Sequence, residues 1–311
     1  MKTISVRTLN NIIAFLTMSL ICSKKSMPDH NLYFPGNTFQ YSENVLINYE
    51  VFGDGPTPIL FLHGFGASLN SWNDIKNFFP LDKFKLFLID LKGFGFSSKP
   101  KDNEYTIENQ AKIISAFIEK NNLHNVVVIG HSYGGGVGIL LQLELTKQGK
   151  ELIDKLILID GAAYINDLPF FIKILRIPIL NRLSFLSSSR YRAIYTLKRL
   201  FFDREKITEE KINRYATFFS EQNSHYSFVK AAKQIVPNKY DSLTNEYKNI
   251  KIPVQIIWGK NDPIIPMETA SKLNLIFPKS RLEIISDCGH IPQEECPEQT
   301  YKIIDKFLNN H

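Results

Sequence analysis

The chain of 311 residues is 44% apolar and 22% charged, with a formal net charge of +6. That balance excludes a disordered or collagen-like chain, and the length suits one large α/β unit with an inserted subdomain, or two domains. Three cysteines and seven scattered histidines fall into no zinc spacing, so neither a disulfide scaffold nor a metal site is expected, and no cofactor is implied.

Residues 1–27 differ from the rest. Lys2 and Arg7 precede an apolar run over residues 12–22, and Ser23, Lys24 and Lys25 follow it. A basic start, a short apolar stretch and a polar exit read as a secretory signal or a membrane-tethering segment. The run is shorter than the roughly 20 residues a bilayer span needs. Cys22 at its end invites lipid attachment, against which stands the bulky Ile21 before it. An amphipathic or buried N-terminal helix is the other reading. The expectation is an exported or membrane-associated protein rather than a cytoplasmic one.

From residue 28 onward, short β-rich runs alternate with longer helical stretches. Strands are expected at 45–51, 58–62, 85–89, 125–129, 155–159, 254–258 and 281–285. Several are continuously apolar, such as Val126, Val127, Val128 and Ile129, as parallel strands buried on both faces are. Between them, Ile107, Ala111, Ile114 and Ile118 recur at helical spacing over 107–121, so that helix lies on the sheet. Strands alternating with helices imply a mostly parallel central sheet with helices on both faces. Over 163–240 the rhythm breaks. No strand pattern appears there, and fourteen Lys and Arg stand against six Asp and Glu, a net of +8 that exceeds the charge of the whole chain.

The strand ending at Ile129 runs into Gly130-His131-Ser132-Tyr133-Gly134. A serine at a strand-to-helix turn projects its hydroxyl freely, and flanking glycines let strand and helix approach. A serine hydroxyl needs a base, and the base an orienting acid. His290 follows the last strand and Asp262 the one before it. Both sit at carboxyl ends of strands, the edge where open α/β sheets place their sites. Asp160 also ends a strand and is a second choice for the acid. After the strand at 58–62, the turn His63-Gly64-Phe65-Gly66 can aim the backbone N–H of Phe65 into the site. With the N–H of Tyr133 it would form an oxyanion hole. His63 and Asp90 read as structural residues that organise turns.

Taken together, HGFG at His63, DLKGFGFS at Asp90, GHSYGG at Gly130, WGKNDPIIP at Trp258 and GHIPQEECPE at Gly289 resemble the α/β-hydrolase superfamily, from about residue 44 to the C-terminus. The resemblance implies the α/β-hydrolase fold, with a core at 28–162 and 241–311 and a helical cap at 163–240. It implies a serine hydrolase with Ser132 as nucleophile, His290 as base and Asp262 as acid, although some members carry the acid one strand earlier, at Asp160. Members that open epoxides or remove halides carry Asp at the nucleophile position, which Ser132 argues against. Members that cleave carbon–carbon bonds usually have an aromatic residue after the histidine, where this chain has Ile291.

The expected reaction is hydrolysis of lipophilic acyl esters through an acyl-enzyme. Carbon–carbon bond hydrolysis, acyl transfer and a non-catalytic ligand receptor remain alternatives. Phe170, Phe171, Leu175, Phe185, Phe201, Phe202, Phe218 and Phe219 either line an acyl pocket or pack the cap onto the sheet. The expected partner is a small-molecule ester or lipid substrate. A membrane surface contacted through the N-terminus or the basic cap is a further one, and nucleic acid is not expected. Cys288 and Cys296 leave two readings, a bridge in an oxidising compartment or two free thiols.

Overall fold

The computed structural model describes residues 36–163, 168–237 and 240–309; the leader expected at 1–27 lies outside the described residues. The chain runs through β1 (Asn37–Ser42), β2 (Val45–Phe52), β3 (Thr57–Leu62), α1 (Asn73–Lys76), β4 (Phe84–Ile89), α2 (Ile107–Lys120), β5 (Val126–His131), α3 (Tyr133–Lys147) and β6 (Ile153–Ile159). Helices follow: α4 (Phe170–Arg176), α5 (Pro178–Ser184), α6 (Ser189–Leu200), α7 (Glu209–Ser220), α8 (Ser224–Lys233) and α9 (Tyr240–Glu246). The chain then returns through β7 (Val254–Gly259), α10 (Glu268–Ile276), β8 (Ser280–Ile285), α11 (Pro292–Glu295) and α12 (Pro297–Asn309).

Eight strands form one sheet in the order β1-β2-β4-β3-β5-β6-β7-β8. The β1–β2 and β2–β4 pairs are antiparallel, and every other pair is parallel. Successive side chains of a strand point to opposite faces, so each apolar run feeds two cores. Leu60, Val128 and Leu158 pack with Ile114 and Phe117 of α2 and Leu141 of α3 on one face. Phe61, Val127 and Ile157 pack with Trp72, Phe79, Ile304 and Phe307 on the other.

One strand was not expected. In β1 only Phe39 is buried, edge-on to Phe117 of α2 with ring centroids 5.4 Å apart. A single buried side chain in a sheet-edge strand leaves no apolar run to read.

Between β6 and β7 the described residues form helices and no strand. Their boundaries have local causes. Ser188 caps α6 by accepting from Tyr191 N–H, and Thr208 caps α7 by accepting from Lys211 N–H. Pro178 forces Ile177 out of helical conformation (φ −93°, ψ 117°), which ends α4 and starts α5.

Polar bonds tie this helical layer to the core. The Asp74 carboxylate of α1 meets Lys211 Nζ at 2.7 Å and Arg214 Nη2 at 3.0 Å, both from α7. Tyr226 of α8 donates its hydroxyl to the Asp102 carbonyl, and Ser227 donates to that of Gly93.

Candidate active site

The carboxyl ends of β3 to β8 point to one edge of the sheet, and the chemistry-bearing residues emerge there. β5 ends at His131 and α3 begins at Tyr133, so Ser132 alone turns the chain, at φ 48° and ψ −115°. A side chain at positive φ costs about 1–2 kcal/mol, and the surroundings hold it there. Ser132 N–H donates to the Ile159 carbonyl at 3.0 Å, and its own carbonyl accepts from Gly135 and Ala162 N–H, each at 2.9 Å. Gly134 is required by close approach, because a Cβ there would fall on the Leu62 carbonyl.

The three residues singled out from sequence meet. Ser132 Oγ lies 3.0 Å from His290 Nε2, and His290 Nδ1 lies 2.7 Å from Asp262 Oδ2. With the proton on Nδ1 donated to Asp262, Nε2 is free to accept from the serine. Asp262 Oδ1 accepts from the N–H groups of Ile264 (2.7 Å) and Ile265 (3.1 Å). Burial alone would raise the Asp262 carboxyl, but the facing His290 and these hydrogen bonds hold it below its ordinary value.

Asp160, at the end of β6, is also part of this cluster. It is fully buried, and burial plus the Asp262 charge push its carboxyl well above the usual range. That direction favours its neutral form beside Asp262, while its Oδ1 accepts from Gly259 N–H at 3.1 Å. Asp160, Asp262 and His290 offer ligand atoms within 4.8 Å of one another. Of these, Asp262 and His290 hydrogen-bond each other directly.

His63 and His131 brace the edge. His63 Nδ1 donates to the Gly64 carbonyl at 2.8 Å, and its Nε2 accepts from Leu91 N–H at 3.0 Å, joining the turns after β3 and β4. His131 Nε2 donates to the His290 carbonyl at 2.7 Å. Burial lowers His63 to about 4 and His131 to about 3, so both are neutral at neutral pH. Asp90 accepts from Leu69 and Phe96 N–H and from Asn48 Nδ2. Phe65 and Tyr133 flank Ser132 in the cavity wall, their ring centroids 6.0 Å apart.

Sequence reasoning missed the residues that hold the His290 loop. Glu295, 2% exposed, accepts from the N–H groups of Gly289 (2.7 Å), Phe202 (3.3 Å) and Asp203 (2.7 Å), and His290 N–H donates to the Leu200 carbonyl at 2.8 Å. Beside it, Glu294 accepts from the Tyr215 hydroxyl at 2.7 Å, and burial raises its carboxyl to about 7 despite nearby Arg214. The signal was present in the acidic pair after His290, read only as part of a motif. Cys288 and Cys296 are both buried and free.

Ser132 and His290 open into a cavity of about 530 Å³, within the usual range for small-molecule sites. Of the cap residues singled out from sequence, Phe170, Phe171, Leu175, Phe185 and Phe219 line it. Phe201 and Phe218 are instead buried away from it and Phe202 is half exposed. Arg192 also lines the cavity. It donates to the carbonyls of Phe185, Ser187 and Phe219, and burial lowers it to about 10, still charged at neutral pH.

A sequence profile of the alpha/beta hydrolase fold matches residues 57–297. The chain belongs to the α/β-hydrolase fold family. Within the family, it is 27% identical over 256 residues to the 2-hydroxy-6-oxo-6-(2'-aminophenyl)hexa-2,4-dienoic acid hydrolase of Metapseudomonas resinovorans, covering 81% of this chain and 84% of that one. It is 26% identical over 291 residues to Lipase 1 of Psychrobacter immobilis, covering 88% and 82%. An esterase from Exiguobacterium antarcticum superposes with a TM-score of 0.75 at 21% identity, covering 88% of this chain and all of that one, a likeness of fold. This α/β hydrolase is thus similar both to a lipase and to a dienoic acid hydrolase.

Proposed function

We propose that this α/β hydrolase cleaves lipophilic carboxylic esters through an acyl-enzyme. The observation that carries the reading is the Ser132–His290–Asp262 hydrogen-bonded chain opening into a largely apolar cavity. Ser132 Oγ attacks the ester carbonyl and passes its proton to His290 Nε2. The N–H groups of Phe65 and Tyr133 hold the oxyanion, each donor contributing about 3 kcal/mol. His290 returns the proton to the departing alcohol, and Asp262 stabilises the imidazolium between these steps. Water, deprotonated by His290, then releases the acid and restores Ser132.

The similarity to a lipase supports an ester substrate, while the similarity to a dienoic acid hydrolase keeps carbon–carbon cleavage as the reading to exclude. The test is hydrolysis of p-nitrophenyl esters from short to long acyl chains by the wild type and Ser132→Ala. The expected result is a fall of at least about 10³-fold in the variant, with medium or long acyl chains preferred. Equal, low rates in both would overturn the ester reading. If fluorophosphonate then still labels Ser132, carbon–carbon cleavage is favoured; without labelling, a receptor is.

A further inference from the structure

From Leu168 to Phe202 the sequence contains seven Lys and Arg and no Asp or Glu. This stretch builds α4, α5 and α6, and the first two of these helices are two-sided. Their inner side lines the cavity with Phe171, Ile172, Leu175 and Leu180. Their outer side carries Ile177 at 46% exposure and Ile179 at 71%, with Leu186 at 69% just beyond α5; Phe170, 38% exposed, also lines the cavity. Soluble surfaces scatter such residues singly; here they are grouped around one helix corner. Residues three or four apart share a helix side, which groups Ile179 with Arg182. Arg176 is exposed in the same stretch, whereas Arg190 pairs with Glu209 of α7 at 2.8 Å. The corner itself exists because Pro178 breaks the helix, which leaves Ile177 and Ile179 on either side of the break.

We propose that this α4–α5 corner docks on an anionic lipid surface, Ile177, Ile179 and Leu186 entering the headgroup boundary while Arg176 and Arg182 meet the lipid charges. The chemistry selects this occupant. Exposed aliphatic tips among cations, with no acid among them, match a surface that is apolar inside and negative at its rim. A second copy of the same face would set cation against cation. The inference rests on the ester-hydrolase reading in one respect only: the docked helices form a wall of the Ser132 cavity, so docking brings that cavity to the surface where lipid esters lie.

The test is co-sedimentation of the full chain, carrying Ser132→Ala so that no lipid is consumed, with phosphatidylcholine vesicles and with vesicles containing phosphatidylglycerol. Binding is expected to the anionic vesicles and to weaken as salt rises. Each arginine removed should lower partitioning about fivefold, so Arg176→Gln/Arg182→Gln should lower it on the order of 25-fold. Ile177→Ser/Ile179→Ser should lower it as well. None of these four residues lines the cavity, and with Ser132 restored each variant should keep its thermal unfolding midpoint and its turnover of a water-soluble short ester. Equal binding to neutral and anionic vesicles, or binding unchanged by both pairs of substitutions, overturns the proposal. So does the absence of vesicle binding. Since partitioning is read without turnover, failure of the ester reading leaves this result intact.

Discussion

Asp160 and Asp262 are neighbouring carboxyls with opposite environments, and the ester mechanism assigns them different tasks. The Asp262 carboxyl is held low and accepts from His290 Nδ1, whereas burial and the Asp262 charge push the Asp160 carboxyl up. Asp262→Asn should turn the imidazole to the wrong tautomer and cost on the order of 10⁴-fold in kcat, as the equivalent change does in a chymotrypsin-type site. Asp160→Asn keeps a donor toward Asp262 and should stay within about tenfold. Steady-state kinetics of the two variants decide the assignment, and the reverse ranking would make Asp160 the acid.

Glu294 gives a second prediction at the scale of one residue. A carboxyl whose folded pKa is raised weighs against the fold once pH passes its unfolded value, and the penalty grows until the folded value is reached. For Glu294 that window runs from 4.5 to about 7, a penalty of about 3 kcal/mol at 1.36 kcal/mol per unit. Relative to Glu294→Gln, the wild type should therefore lose stability as pH rises through the window. Urea unfolding of both proteins below and above the window measures this, and parallel stability–pH curves would show that Glu294 does not titrate there.

At the scale of elements, α7 is joined to the core by Asp74, which faces Lys211 and Arg214 together. Both cations are largely buried, so Asp74→Asn removes the carboxylate of Lys211 and leaves Arg214 only the more distant Glu210 and Glu294. The loss should be about 1–3 kcal/mol, discounted from a fully buried pair because Asp74 is partly exposed. Hydrogen exchange should rise in α7 before it rises in the sheet; a uniform rise would make the bridge part of global stability only.

The same scale explains what was legible. β3 to β7 announce themselves because strands buried on both faces are apolar at most positions. Ser132 and Asp262 are legible because each follows such a strand within a few residues, and His290 because it follows β8. β1 escapes because it has one buried side chain. The raised Asp160 carboxyl escapes because its causes are burial and the facing Asp262, which the pairing of β6 with β7 brings together from sequences far apart. Glu295 escapes for a similar reason, since two of its three backbone donors come from that insertion.

For the molecule as a whole, the cavity lies between the sheet edge and the helices, so a ligand filling it joins two layers. A long-chain alkylphosphonate that esterifies Ser132 should raise the thermal midpoint more than a methyl analogue. Reversible occupancy at 100 times Kd already adds about 2.7 kcal/mol. Equal shifts for both would mean that the chain does not reach the helices.

The bonds around His290 also dictate how such a ligand gets in. His290 N–H hangs on the Leu200 carbonyl, and Glu295 grips Gly289 from the core side and Phe202 and Asp203 from the helical side. If the helices rose together like a lid, the end of α6 would drag the imidazole off Ser132. A ligand therefore enters without lifting the Leu200–Asp203 junction, which is a strut between the helical layer and the catalytic loop.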